Sequence, residues 1–380
     1  MRTNLGGVQM PEESVYESLK KEGVSRRDFL KLCGVMAGTM GLNAMPPLEK
    51  SGLPSSLNVT EAKSIERIAK AMETQPRLPV IWLEFQDCTG CSESLTRANA
   101  PTLGNLVLNT LTIEHHEALS AAAGFQVEEA KQQAMEKYAG QYILVVEGSI
   151  PTGEHAAYCA IGGRTAEAIL EEAAAGAAAI IAIGNCAAFG GLPKAKPNPT
   201  NAASVLDLVK DKAVVNLPGC PPIPEAIVGV ITHFALFGVL PELDKLNRPV
   251  AFYGKTVHDR CLRRPFYEAG KFALSFDDEG AREGWCLFKL GCKGPTTYNA
   301  CASIRWDSGL SFPIQSNHPC LGCSEPDFWD GPGFYQGLSA PLNKPAATAV
   351  GAAAAAGIVA GVAVGAANKA QKKNAASKEE

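Results

Sequence analysis

The sequence predicts an α/β protein: a doubly wound parallel sheet followed by a smaller, irregular domain organised by metal ligands. Two observations carry this reading. Between Leu78 and Leu240 short apolar runs alternate with helical stretches, the pattern of βα units covering both faces of a sheet. After Pro249 the alternation fades, while six of the chain's 12 cysteines fall between positions 261 and 323. With 380 residues, 46% hydrophobic and 19% charged, the chain is long enough for two packed domains and too apolar for disorder. A net charge of -4 supplies no basic field, which argues against a nucleic-acid partner.

The apolar runs predict strands at 79–85, 106–113, 142–146, 178–183 and 213–217, and Glu- and Ala-rich stretches predict helices at 127–138 and 163–175. In such sheets function gathers beyond the carboxyl ends of the strands. Three predicted strands run directly into cysteine: Cys88-Thr89-Gly90-Cys91 after the first, Gly184-Asn185-Cys186 after the fourth, and Pro218-Gly219-Cys220-Pro221-Pro222 after the fifth. Four thiolates, from Cys88, Cys91, Cys186 and Cys220, would therefore converge in one crevice. A Cys-x-x-Cys pair alone fits a redox couple or half a zinc site. Two further single cysteines on separate loops suit a four-iron cubane better than a zinc ribbon, which takes its ligands as two close pairs. Gly90, Gly184 and Gly219 let the backbone approach a bulky inorganic group. Cys159, past the end of the third strand, reads as a buried thiol.

In the second region His258-x-x-Cys261 joins Cys286 and Cys292 in a His-Cys-Cys-Cys set, for which zinc is the alternative. Cys301 remains with Cys320 and Cys323, in His318-Pro319-Cys320-Leu321-Gly322-Cys323. Three thiolates suit a three-iron cluster; disulfides are the alternative. Arg260, Arg263 and Arg264 either orient an acidic or haem-bearing acceptor or form an ordinary solvated face.

The ends of the chain carry their own signals. Ser25-Arg26-Arg27-Asp28-Phe29-Leu30-Lys31 precedes an uncharged, weakly apolar stretch to Leu48, so 1–48 reads as a twin-arginine (Tat) export signal, removed together with Cys33. The competing reading is a capped amphipathic helix beginning at Ser25. Residues 49–77 form a linker. Ala346 to Ala367 is 22 residues without a charge, enough to span a bilayer core of about 30 Å as a C-terminal anchor. Lys369, Lys372, Lys373 and Lys378 then place the tail 368–380 in the cytoplasm. A flexible Ala/Gly tail is the alternative there.

Five longer motifs tie these features together: Asp87-Cys-Thr-Gly-Cys-Ser-Glu-Ser94, Glu147-Gly-Ser-Ile-Pro151, Leu217-Pro-Gly-Cys-Pro-Pro222, Thr256-Val-His-Asp-Arg-Cys261 and Asn317-His-Pro-Cys-Leu-Gly-Cys-Ser-Glu325. In them, and over nearly its whole length, the chain resembles the small, electron-transferring subunit of a nickel-iron hydrogenase. The resemblance implies a flavodoxin-like domain at 78–245 and a cluster-binding domain at 246–340. It implies a proximal 4Fe-4S cluster on Cys88, Cys91, Cys186 and Cys220. A distal 4Fe-4S cluster on His258, Cys261, Cys286 and Cys292 and a medial 3Fe-4S cluster on Cys301, Cys320 and Cys323 follow in the same way. The nickel-iron centre, and with it every catalytic residue, would belong to a separate large subunit. Electrons from dihydrogen would leave to a cytochrome of b or c type on the periplasmic side of the membrane.

The first domain also resembles the cluster-bearing subunit of a proton-pumping quinone reductase, a family without the second cluster region or the export signal. An exported zinc- or disulfide-stabilised binding protein would be colourless and iron-free. A sensory hydrogenase subunit, acting in the cytoplasm, would not need Arg26 and Arg27. Asp87 stands where many relatives have Glu. Gly90 and Gly191 stand where oxygen-tolerant members carry two extra cysteines, so the resemblance implies ordinary oxygen sensitivity. Dihydrogen oxidation by the purified enzyme is expected to be lost under air; activity sustained in air contradicts this.

Overall fold

The computed structural model describes residues 14–21, 23–39, 66, 68–70, 72, 77–99, 101–331 and 333–337. Five strands, β1 (Leu78–Glu84), β2 (Leu111–His116), β3 (Ile143–Glu147), β4 (Ala179–Ile183) and β5 (Val214–Leu217), form one parallel sheet in the order β2-β1-β3-β4-β5. Runs such as Ile143-Leu-Val-Val and Ala179-Ile-Ile-Ala-Ile are buried along their whole length, as strands covered on both faces must be.

Alternate residues serve opposite faces. Ile81, Leu83, Leu144, Val146, Ile180 and Ala182 pack against Met135 and Tyr138, and against Ile169, Leu170 and Ala173 of the helix Ala166–Gly176. Val80, Trp82, Val145, Ile181, Ile183 and Val215 pack on the other side against Ile227, Val230 and Ile231 of the helix Pro224–Phe237. The winding reverses between β1 and β3. That switch point opens a crevice beyond the carboxyl ends of the strands.

The predicted helices are present as Phe125–Lys137 and Ala166–Gly176. The second begins after Gly163, whose φ of 79° is left-handed, where the Thr165 side chain accepts from the Ala168 amide. One boundary is corrected. The run predicted as a strand at 106–113 opens instead with a π-helical turn, Leu106–Thr110, and β2 begins only at Leu111. Thr102 caps the short helix Leu103–Asn105 that leads into this turn, accepting from the Asn105 amide. A short apolar run does not distinguish strand from buried helix by periodicity.

Near the N-terminus the helix Arg26–Thr39 is capped by Ser25, whose hydroxyl accepts from the Asp28 amide at 3.2 Å and donates to the Asp28 carboxylate at 2.6 Å. Phe29, Cys33 and Met36 are buried with Ile68, Met72 and Leu236, while Arg26 and Arg27 stay in solvent. Within the segment read as an export signal, the described residues 26–39 form a helix with one buried face, and the arginine pair at its start is exposed. The expected anchor at 346–367 and tail at 368–380 lie outside the described residues. Among the described residues, no helix is long and apolar enough to cross a membrane.

Among the described residues beyond Pro249 the helices are short, such as Val250–Tyr253, His258–Arg260, Leu287–Leu290 and Cys301–Ile304. Their core is small: Val257, Ala273, Leu287, Phe312 and Ile314, with Cys292 inside it and Cys261, Cys301 and Cys320 packed on it. Polar contacts tie this region to the sheet. Buried Arg248 donates to Asp244 at 2.8 Å and to Glu325 at 3.1 Å, and the Tyr253 hydroxyl donates to the Pro218 carbonyl.

Candidate metal centres

The crevice is built by three strand-to-helix turns. After β1 the chain turns through left-handed Thr89 (φ 58°) into the short helix Gly90–Thr96, exposing Cys88 and burying Cys91. Cys186 lies on the helix Gly184–Phe189 that follows β4, and Cys220 on the turn after β5. Burial drives the Cys91 thiol well above its ordinary pKa, and the charges of Glu147, Cys186, Cys220 and Cys88 add to it. Burial likewise pushes Cys186 up to about 12. A Cβ at Gly184 would stand 2.5 Å from the Cys91 sulfur, and one at Gly191, itself at φ 54°, 2.5 Å from the Cys186 sulfur. Both positions are held at glycine because sulfur fills the space.

His258, Cys261, Cys286 and Cys292 line one cavity, closed by Leu287, Phe288, Gly294 and Ile314. Burial and nearby Arg264 lower the His258 pKa, favouring the neutral imidazole that metals bind. Arg263 is a correction. It is buried, not surface-facing, and donates to the Trp285 carbonyl at 2.8 Å and to Asn317 at 3.1 Å. Burial lowers its pKa against the opposing pull of Cys261, Cys286 and Cys292. Arg264 pairs with Glu268 at 2.9 Å, and Arg260 is exposed.

In the third set Cys301, Cys320 and Cys323 are each pushed up to about 12, chiefly by burial, and act on one another. Two contacts put the sets in line. A backbone hydrogen bond from Cys220 favours the Cys323 thiolate, and the Cys320 amide donates to the Cys292 sulfur at 3.4 Å. The spatial order is therefore first, third, second.

No two of the 12 cysteines are joined in a disulfide. Among the described residues, no set containing a thiol or imidazole has three ligand atoms within 4.8 Å of one another. Ligands on a single zinc, at about 2.0–2.3 Å from the metal, stand closer than that. A larger inorganic group with several metals suits the wider spacing, and its positive charge is what would draw protons from thiols held this high. Cys159 sits apart, only partly buried against the main core, with burial raising it to about 11.

The sequence reading missed a polar network behind Cys91. The buried Glu147 carboxylate accepts from the Cys91 amide (2.8 Å), the Ser92 amide (3.1 Å), the Ser92 hydroxyl (2.6 Å) and the Trp82 indole (3.2 Å). Ser92 also meets Glu84 at 3.3 Å and His116 at 3.1 Å. The available signal was a shared register: Glu84 and Glu147 pair across β1 and β3 at the switch point.

Fold and site together define an iron-sulfur electron-transfer protein. Residues 253–336 match the family model for the C-terminal part of the NiFe/NiFeSe hydrogenase small subunit, and 88–234 match NADH ubiquinone oxidoreductase, 20 Kd subunit. The uptake hydrogenase small subunit of Azotobacter vinelandii is 46% identical over 328 residues, 86% of each chain. The hydrogenase-1 small chain of Citrobacter freundii is 46% identical over 325 residues, 85% of this chain and 82% of the relative. The structure of a reduced, active Ni-Fe-Se hydrogenase from Desulfomicrobium baculatum superposes with a TM-score of 0.66 at 36% identity, covering 69% of this chain and 100% of that one. The chain belongs to the family of nickel-iron hydrogenase small subunits.

Burial, then the charges of Glu147 and Asp87, raise Glu84 from 4.5 to about 7. An acid raised on folding contributes stability that is fully present below its unfolded pKa and lost as pH rises through its folded one. Glu84→Gln is expected to flatten the fall in stability between pH 4.5 and about 7, read as denaturant midpoints. An unchanged fall contradicts this account of Glu84.

Proposed function

We propose that this chain is the electron-transferring small subunit of an uptake hydrogenase, with the nickel-iron centre on its large-subunit partner. Cys88, Cys91, Cys186 and Cys220 would hold a proximal 4Fe-4S cluster, Cys301, Cys320 and Cys323 a medial 3Fe-4S cluster, and His258, Cys261, Cys286 and Cys292 a distal 4Fe-4S cluster. The observation that carries this reading is the linear order of the three ligand sets, joined at Cys220–Cys323 and Cys320–Cys292. Bound clusters of this kind pass single electrons between a buried catalytic centre and an outside acceptor.

The chain's own residues set the environment. Imidazole at His258 replaces one thiolate and makes its site less negative, which raises the potential there. Arg263 supplies a fixed positive charge on the same side. Glu147 holds the amides of Cys91 and Ser92 and so fixes the turn that presents Cys91. The acceptor of this proposal is a cytochrome of b or c type on the periplasmic side. Arg26 and Arg27 direct export of the folded chain, loaded in a reducing compartment where thiols persist, and 346–367 anchors it to the membrane.

His258→Gly tests the assignment. Dye-linked dihydrogen oxidation is expected to fall about tenfold, an added barrier of ~1.4 kcal/mol, while hydrogen–deuterium exchange at the large subunit stays near the parent rate. Equal loss of both activities contradicts an electron-exit role for this site.

A further inference from the structure

We infer that Asn185 is a positioning residue that fixes the spacing between the first and third ligand sets. The inference rests on the cluster reading above and adds the residue that holds two of its centres in register. Asn185 is 2% exposed and directly precedes Cys186. Its backbone amide donates to the Gly219 carbonyl at 2.7 Å, beside Cys220. Its side-chain nitrogen donates to the Cys323 carbonyl at 3.0 Å and the Glu325 carbonyl at 2.9 Å, across 138 and 140 residues of sequence. One residue thus joins the turns carrying Cys186, Cys220 and Cys323.

The chemistry selects an amide. Both partners are carbonyl oxygens, and a side-chain NH2 offers them two hydrogens from a short, planar stem. A carboxylate of the same shape would meet both carbonyls with negative oxygen. The far side of the Cys323 turn is held separately: Glu325 accepts from Arg248 at 3.1 Å and from the Tyr298 amide at 2.6 Å. With Arg248 in place and Asn185 changed, the turn keeps its attachment to its own region and loses its registration on the sheet. The gap between Cys323 and the Cys186 and Cys220 turns is then no longer fixed, and electron transfer falls steeply with distance.

The test uses the complete two-subunit enzyme with Asn185→Asp and, as a milder change, Asn185→Ser, which keeps one short donor. Amide hydrogen exchange over 320–325 is expected to rise about tenfold in Asn185→Asp, as local opening becomes easier, with β4 unchanged. In freeze-quench paramagnetic resonance after mixing with dihydrogen, the oxidised three-iron signal should outlast reduction of the proximal cluster several-fold longer than in the parent. Asn185→Ser should lie between. Parent-like exchange and a parent-like signal sequence in Asn185→Asp would overturn the inference. Should that variant not assemble, the same pair of results in Asn185→Ser overturns it. Absence of a three-iron signal in the parent enzyme instead overturns the cluster reading, and amide exchange then decides the role of Asn185 alone.

Discussion

The molecule depends on one electrostatic constraint: nine thiols gathered in places where burial opposes their ionisation. Cys186, Cys301, Cys320 and Cys323 are each driven to about 12. A protein interior does not keep thiolates at neutral pH without a compensating positive charge. These side chains are therefore poorly placed for a metal-free binding protein and well placed to receive a cationic inorganic group. Arg263 supplies only part of the balance at one of the three sets.

The sheet answers the constraint geometrically. A parallel order of β2-β1-β3-β4-β5 sends three loops to one edge, and each delivers cysteine to the same crevice. Glycine at 184 and 191 leaves room for the sulfurs. The second region solves the same problem with little regular structure. Its small core around Val257, Leu287, Phe312 and Ile314 surrounds Cys292 directly, so packing and ligation are one feature there.

Much of this was legible in the sequence because cysteine directly follows apolar runs. The continuous apolar runs of β1, β3 and β4 and the strand-end position of Cys88, Cys186 and Cys220 need no long-range information. The entry to β2 was misread because Leu106-Val-Leu fits a helical turn as well as a strand. Arg263 was read as surface or acceptor-facing because a cluster of arginines ordinarily is; its burial comes from contacts with Trp285 and Asn317, 22 and 54 residues away. The roles of Glu147 and Asn185 were illegible for the same reason. A lone Glu closing a strand and a lone Asn opening a turn show their partners only when the chain is folded.

The most direct test of the central claim is electron paramagnetic resonance of the oxidised two-subunit enzyme, purified without air, with metal analysis of the same sample. The account predicts a three-iron signal beside a nickel signal, and iron as the metal of this chain. A colourless preparation with zinc in place of iron, or an iron-loaded one without the three-iron signal, would contradict it.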